Sequence, residues 1–342
     1  MSHELPRPYL LFLGDITEPG FAKTAFGLRD WAPELCIGEF ALPTATVTTG
    51  LSRLTPTRAR DRGARAIVIG VANRGGVLAD TWIPALLEAL EAGLDLVSGL
   101  HGRLAHHARL RFAAERLGRQ LIDVRVPPAN IQVGTGRKRR GKRLLTVGTD
   151  CALGKKYTAL ALARAFKNRG VDADFRATGQ TGILIAGGGI PIDAVVADFV
   201  AGAAEMLSPA ASESHWDVVE GQGSIFHPSY AGVSLGLLHG TQPDVLVLCH
   251  AMGRDSMLGL DDYPTPDLDQ AIDLHLRLGR RTNPCVRCAG VSLNTVVLTD
   301  AEARETLAEY ATRLQLPVAD PMRQGPEFDQ LVTACLQAGS GT

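Results

Sequence analysis

Gly148-Thr149-Asp150-Cys151-Ala152-Leu153-Gly154-Lys155-Lys156 stands between an apolar run at residues 144–147 and an Ala- and Leu-rich stretch at 157–168. The first reads as a strand and the second as a helix, so the nine residues form the loop where a phosphate cradle would lie. Glycines let the backbone turn sharply and point several N–H groups inward. The helix that follows offers the positive end of its dipole, and Lys155 adds a full charge. Two departures from the usual loop matter. Five residues separate the glycines instead of four, and Lys156 stands where a Ser or Thr hydroxyl would hold Mg²⁺. A second cation there repels a metal and attracts phosphate. The loop is therefore expected to hold a phosphate group without Mg²⁺, or with a metal held elsewhere; the plain alternative is a glycine-rich turn that binds nothing. Tyr157 opens the helix and is counted with the loop.

Further groups end other strands. Asp217-Val-Val-Glu220-Gly-Gln222-Gly-Ser224 is an apolar run closing on an acid and two glycines, which sets a carboxylate beside the loop at the sheet's C-terminal edge. Glu220 could hold a metal or accept a proton. His227 and Tyr230 follow closely, and His suits general-base work near neutral pH. Arg176-Ala-Thr-Gly-Gln180-Thr181-Gly supplies guanidinium, amide and hydroxyl donors, and Arg176 could grip a carboxylate bidentately. His250, Arg254, Asp255 and Asn294 follow other strands and could line the same edge. Each group also has a plain reading as a polar turn. Cys285-x-x-Cys288 is a single pair without partners at zinc spacing, so no metal site is expected. In the N-terminal part, Gly70–Gly76 and Ser98–His101 end strands and could form a ligand crevice, although the glycine spacing is not a dinucleotide fingerprint.

The elements that must position these groups alternate in type. Residues 9–14, 66–70, 94–98 and 121–124 read as short buried strands, with helices expected at 82–92 and 104–117. Pro127 and Pro128 interrupt the pattern, and six of the seven residues 137–143 are basic, as a solvated linker or a phosphate-facing segment would be. A second series follows, with strands at 144–147, 173–177, 216–220, 245–249, 286–293 and 316–319. Its helices are expected at 157–168, 195–207, 268–278 and 301–314. Such alternation implies parallel sheets covered by helices.

Composition narrows the classes. The chain has 342 residues, enough for two domains, with 35 Lys plus Arg against 36 Asp plus Glu. That balance removes any whole-protein case for nucleic acid or an anionic membrane. The most apolar stretch, residues 182–207, is broken by Pro191, Asp193, Asp198 and Glu205, so no membrane span is expected. Six scattered cysteines and no signal segment point to reduced thiols and a cytoplasmic protein.

GTDCALGKK, DVVEGQGS and GVSLN resemble the dethiobiotin-synthetase branch of the P-loop proteins, with Lys156 departing from its Thr. A wider resemblance runs through YLLFLGD, AKTAFGLRDW, VIGVANRGG, SGLHGRL, DADFRATGQTGILIAG, HWDVVEGQGSIFHPSYAGVSLGLLHG and TNPCVRC. These are similar to a bacterial and archaeal family long without known function, one branch of which is D-glutamate N-acetyltransferase. The resemblance implies an α/β protein with a Rossmann-like domain at residues 1–130, a basic linker at 131–143 and a P-loop NTPase-like domain at 144–342. It implies acetyl-CoA as co-substrate, an amino acid as acceptor and D-amino acid catabolism as the setting. On this reading residues 148–151 and 154–157 hold the cofactor phosphates. Glu220 or His227 is the base, and the EGQGS backbone stabilises the oxyanion. Arg176 and Arg254 hold the substrate carboxylates, with Gln180, Thr181, Gln222 and Ser224 lining the acceptor. A homo-oligomer is expected. The rivals are an ATP- and Mg²⁺-dependent ligase or kinase, and a nucleotide-binding module without turnover.

Overall fold

The computed structural model of the chain describes residues 5–72 and 74–339. They divide into two units. One comprises the residues up to Pro128 together with Gln180–Pro191, and the other Ala129–Gly179 with the residues from Ile192 on.

The first unit is built on β1 (Tyr9–Phe12), α1 (Lys23–Trp31), β2 (Cys36–Phe40), α2 (Pro56–Asp61), β3 (Ala66–Ile69), α3 (Ile83–Glu91), β4 (Asp95–Ser98), α4 (Ala108–Leu117) and β5 (Leu121–Asp123). The strands pair in the order β2-β1-β3-β4-β5, all parallel, which is a doubly wound arrangement. Every residue of β1 and β3 is buried, as helices on both faces require. α1, β2 and α2 were not expected from the sequence. Gly38 interrupts the apolar pattern of β2, where a Cβ would meet the Ser52 carbonyl at 2.6 Å. α2 is a single short helix begun by Pro56 and capped by Thr55, whose hydroxyl accepts from the Arg58 N–H.

The second unit opens with β6 (Lys142–Gly148), α5 (Lys155–Asn168) and β7 (Ala173–Arg176). The chain then gives α6 (Gln180–Ala186) to the first unit, where Thr181 bonds Thr24 of α1 (3.2 Å) and Arg7 donates to the carbonyls of Leu184 and Ile185. The second unit resumes with α7 (Val200–Leu207), β8 (Trp216–Val219), α8 (Ala231–Thr241), β9 (Val245–Ala251), β10 (Ser256–Met257), β11 (Leu260–Pro264), α9 (Leu268–Gly279), β12 (Arg287–Asn294), α10 (Asp300–Leu314), β13 (Val318–Ala319) and α11 (Pro326–Ala338). Its main sheet runs β13-β12-β9-β6-β8-β7, all parallel, while β10 and β11 make an antiparallel hairpin. β6 is central and joined by pairing to β8 and β9, so their C-terminal ends converge at the topological switch point, where ligands bind in such sheets. α8 was not expected: AGVSLGLLHGT is glycine-rich and a poor helix former. Tight packing on α7 holds it, since a Cβ on Gly240 would meet the Ala201 carbonyl at 2.1 Å.

The basic segment is part of the second unit's structure. Arg143 is fully buried, and its guanidinium donates to Ser208 Oγ (2.7 Å) and to the carbonyls of Arg139, Arg140, Gly141 and Pro209. Arg139 donates to the Ser208 and Gly240 carbonyls, and Lys138 pairs with Asp244 at 2.8 Å. Arg139 and Arg143 are thus engaged with internal carbonyls, whereas Arg137, Lys138 and Arg140 stay exposed. Arg143→Ala would strand these acceptors in a dry interior. It is expected to destabilise the protein by about 3–5 kcal/mol, read from urea unfolding midpoints.

Among the described residues no helix is long and apolar enough to cross a membrane.

Candidate active site

The loop after β6 leads straight into α5. Gly154, at the helix N-cap, has φ +110°, and Ala152 has φ +54°. Gly154 occupies a region that side chains rarely enter, which explains a glycine at this position. Thr149 N–H donates to the Cys249 carbonyl, but the N–H groups of residues 150–154 donate no hydrogen bond within the described residues. Such a run of open N–H groups at a helix start suits an anion. Lys155 is 6% exposed and folds back to donate to the Asp150 carbonyl (2.7 Å). Burial pulls its ammonium below the ordinary lysine range. Lys156 Nζ lies 4.5 Å from the centre of the Tyr157 ring.

Glu220 follows β8 and is 3% exposed. Its Oε2 accepts from the N–H groups of Thr178 (2.9 Å) and Gly179 (3.1 Å), while Oε1 accepts none within the described residues. Burial raises its carboxyl above the usual range, against the pull of Lys156 and the two N–H bonds. Gly221 lets the turn pass close to β6: a Cβ there would stand 1.8 Å from the Thr146 carbonyl. Ser224 Oγ donates to the Thr149 carbonyl (3.0 Å), fastening this turn to the phosphate loop, and Gln222 Nε2 donates to Thr178 Oγ1. Gly148, residues 221–224, Ser234, Leu237 and His275 wall a small recess. His275 stays neutral there, since burial lowers its pKa to about 4.

His227 is 2% exposed. Its Nδ1 accepts from the Ser229 N–H (3.1 Å), so Nε2 carries the ring proton and donates to the Leu258 carbonyl (3.3 Å). With both nitrogens engaged, it has no free lone pair for a substrate proton. Arg254 NH1 pairs with Asp150 Oδ2 at 2.8 Å, and its Nε and NH2 donate no bond within the described residues.

Arg176 is engaged within the protein. Its Nε holds Asp217 Oδ1 at 2.5 Å, and NH2 reaches Asp174 at 3.5 Å. Asp174 and Arg176 lie on one face of β7, and Asp217 is the registered neighbour of Asp174. The guanidinium expected to grip a substrate carboxylate already holds two of the protein's own. Gln180 and Thr181 belong to the first unit, whereas Arg176, Gln222 and Ser224 belong to the second. Of the N-terminal crevice, Asn73 and the Arg74 side chain lie outside the described residues.

The sequence reading missed two contacts. Thr149 Oγ1 meets His250 Nδ1 at 2.8 Å. One ligating atom each from Asp150, Cys151 and His227 lies within 4.8 Å of the others. No spacing motif announces a cluster whose members come from two loops.

A P-loop domain of unknown function, DUF1611, matches residues 131–332, and its Rossmann-like companion, DUF1611_N, matches residues 42–127. The chain belongs to the DUF1611 family. A crystal structure of a DUF1611 family protein from Anabaena variabilis ATCC 29413 is 32% identical with a TM-score of 0.87, covering 97% of this chain and 99% of that one. A relative from Pseudoalteromonas sp, named D-glutamate N-acetyltransferase, is 47% identical over 322 residues, 94% of this chain and 97% of that protein. One from Tritonibacter scottomollicae with the same name is 50% identical over 318 residues, 93% and 96% of the two. The α/β class expected from the sequence, with a Rossmann-like and a P-loop domain, is the one found in this DUF1611 protein.

Proposed function

We propose that the chain is an acyltransferase that moves an acetyl group from acetyl-CoA to the amino group of D-glutamate. The observation that carries this reading is near-full-length identity of 47% and 50% to two relatives of that name. The site's chemistry supports it. Open N–H groups and Lys155 suit the pyrophosphate of the coenzyme, and Lys156 in place of a metal-binding hydroxyl suits chemistry without phosphoryl transfer.

Glu220 serves as base, since His227 is engaged on both nitrogens. It takes a proton from the substrate ammonium, because only the free amine attacks a thioester. The C–N bond forms, and backbone N–H groups of residues 222–224 hold the oxyanion, that of Gly221 being taken by Thr146 Oγ1. As the C–S bond breaks, the coenzyme sulfur leaves with the proton the amine sheds. The unpaired donors of Arg254 hold a substrate carboxylate.

The test mixes the protein with acetyl-CoA and a panel of D- and L-amino acids and follows thiol release, with ATP hydrolysis measured in parallel with and without Mg²⁺. The expected result is thiol release with D-glutamate and none from its L-isomer. ATP turnover without thiol release would overturn the reading in favour of a ligase or kinase.

A further inference from the structure

Asp150 is fully buried, yet its Oδ1 has no hydrogen-bond partner within the described residues. Stranding a buried carboxylate oxygen is costly, so it calls for an occupant. Its other oxygen is well held, by Arg254 NH1 and the Leu258 N–H, both at 2.8 Å. Leu258 also holds His227, accepting from Nε2 through its carbonyl. One residue, in the turn of the β10–β11 hairpin, thus fixes two side chains and leaves Asp150 Oδ1 unpartnered within the described residues, while His227 Nδ1 accepts from the Ser229 N–H. Cys151 Sγ completes the group, with ligating atoms of all three within 4.8 Å.

We propose that Asp150, Cys151 and His227 bind one divalent transition-metal ion of the zinc class. The donor set of carboxylate oxygen, thiolate sulfur and imidazole nitrogen selects such an ion over Mg²⁺ or Ca²⁺, which take oxygen ligands. The surroundings match those of metal-ligating histidines, which give their second N–H to a backbone carbonyl as His227 does to Leu258. His227 Nδ1 would exchange its bond from the Ser229 N–H for the metal. Binding removes the Cys151 thiol proton, and the two resulting anionic ligands balance the ion's charge. Three protein ligands leave a coordination position for water or a ligand oxygen. The site stands independently of the acetyl-transfer reading.

The test titrates chelator-treated protein with Co²⁺, a spectroscopic stand-in for zinc. The expected result is saturation at one equivalent, with a sulfur-to-cobalt charge-transfer band in the near ultraviolet that Zn²⁺ displaces. Cys151→Ser should abolish the band, and Asp150→Asn should weaken binding at least tenfold. Cys285→Ser, which alters an exposed thiol outside the cluster, should change neither. Thermal melts identify any variant that fails to fold, and the wild-type titration decides without them. No saturable band in the wild type, or a band that survives Cys151→Ser, overturns the proposal. No acetyl donor enters the experiment, so its failure is distinct from failure of the acetyltransferase reading.

Discussion

Lys155→Ala is expected to weaken coenzyme binding by roughly two orders of magnitude, with kcat/KM for acetyl-CoA falling in step. The side chain is 6% exposed and bonded to the loop's own Asp150 carbonyl, so its charge is held in a dry setting at the place where the coenzyme phosphates are proposed to lie. Truncating one partner of a buried, hydrogen-bonded charge pair costs about 2–5 kcal/mol, or roughly 30- to several-thousand-fold in affinity. Little room exists for a substitute. A Cβ on Gly148 would stand 3.2 Å from Nζ, and one on Gly221 would stand 3.0 Å from Cδ of the same lysine. Arginine should therefore fail to rescue. Burial holds the Lys155 pKa below the ordinary lysine value, so the free enzyme loses this charge earlier as pH rises. Phosphate favours the charged form, and binding in that pH range should take up a proton. Calorimetry in buffers of different ionisation enthalpy measures both the affinity and the proton. Unchanged affinity in Lys155→Ala would remove the loop from the binding site.

The loop was legible because its physics is local. A glycine that must take φ +110°, a strand before it and an Ala- and Leu-rich helix after it all leave marks within about 20 residues of sequence. β3 and β9 were legible for the same reason, since a strand buried on both faces is an unbroken apolar run. α8 was not: its residues disfavour a helix, and the glycines that look like breakers are what let it lie against α7. Arg176 shows what register adds. Its type and position suit a substrate carboxylate, but the register of β7 against β8 brings Asp217 beside it, and register is not written in either strand alone. His227 looked like a base because a histidine follows the EGQGS turn. Only the fold reveals that the peptides of Ser229 and Leu258 occupy both nitrogens.

Glu220→Gln separates chemistry from stability, and the two should move in opposite directions. Loss of a positioned general base costs about 10²–10⁴ in rate, so kcat should fall by that much while the coenzyme still binds. The amide oxygen of Gln can accept the same two N–H groups, from Thr178 and Gly179, so the fold has no reason to suffer. The sign of the stability change follows from the carboxyl itself. Burial raises its pKa in the folded protein above the ordinary value of 4.5. Between the unfolded and folded values the native state keeps a proton that the unfolded state has lost, so stability declines as pH rises through that window. The full penalty then persists above that window. Gln carries no charge and avoids it. Glu220→Gln should therefore melt at or above the wild-type temperature at pH 7, with the gap closing below pH 4.5. The acid limb of the wild-type kcat/KM profile, lying above the usual carboxylate range, should vanish in the variant. Activity within a few-fold of wild type, or an acid limb that survives, would transfer the base to another group.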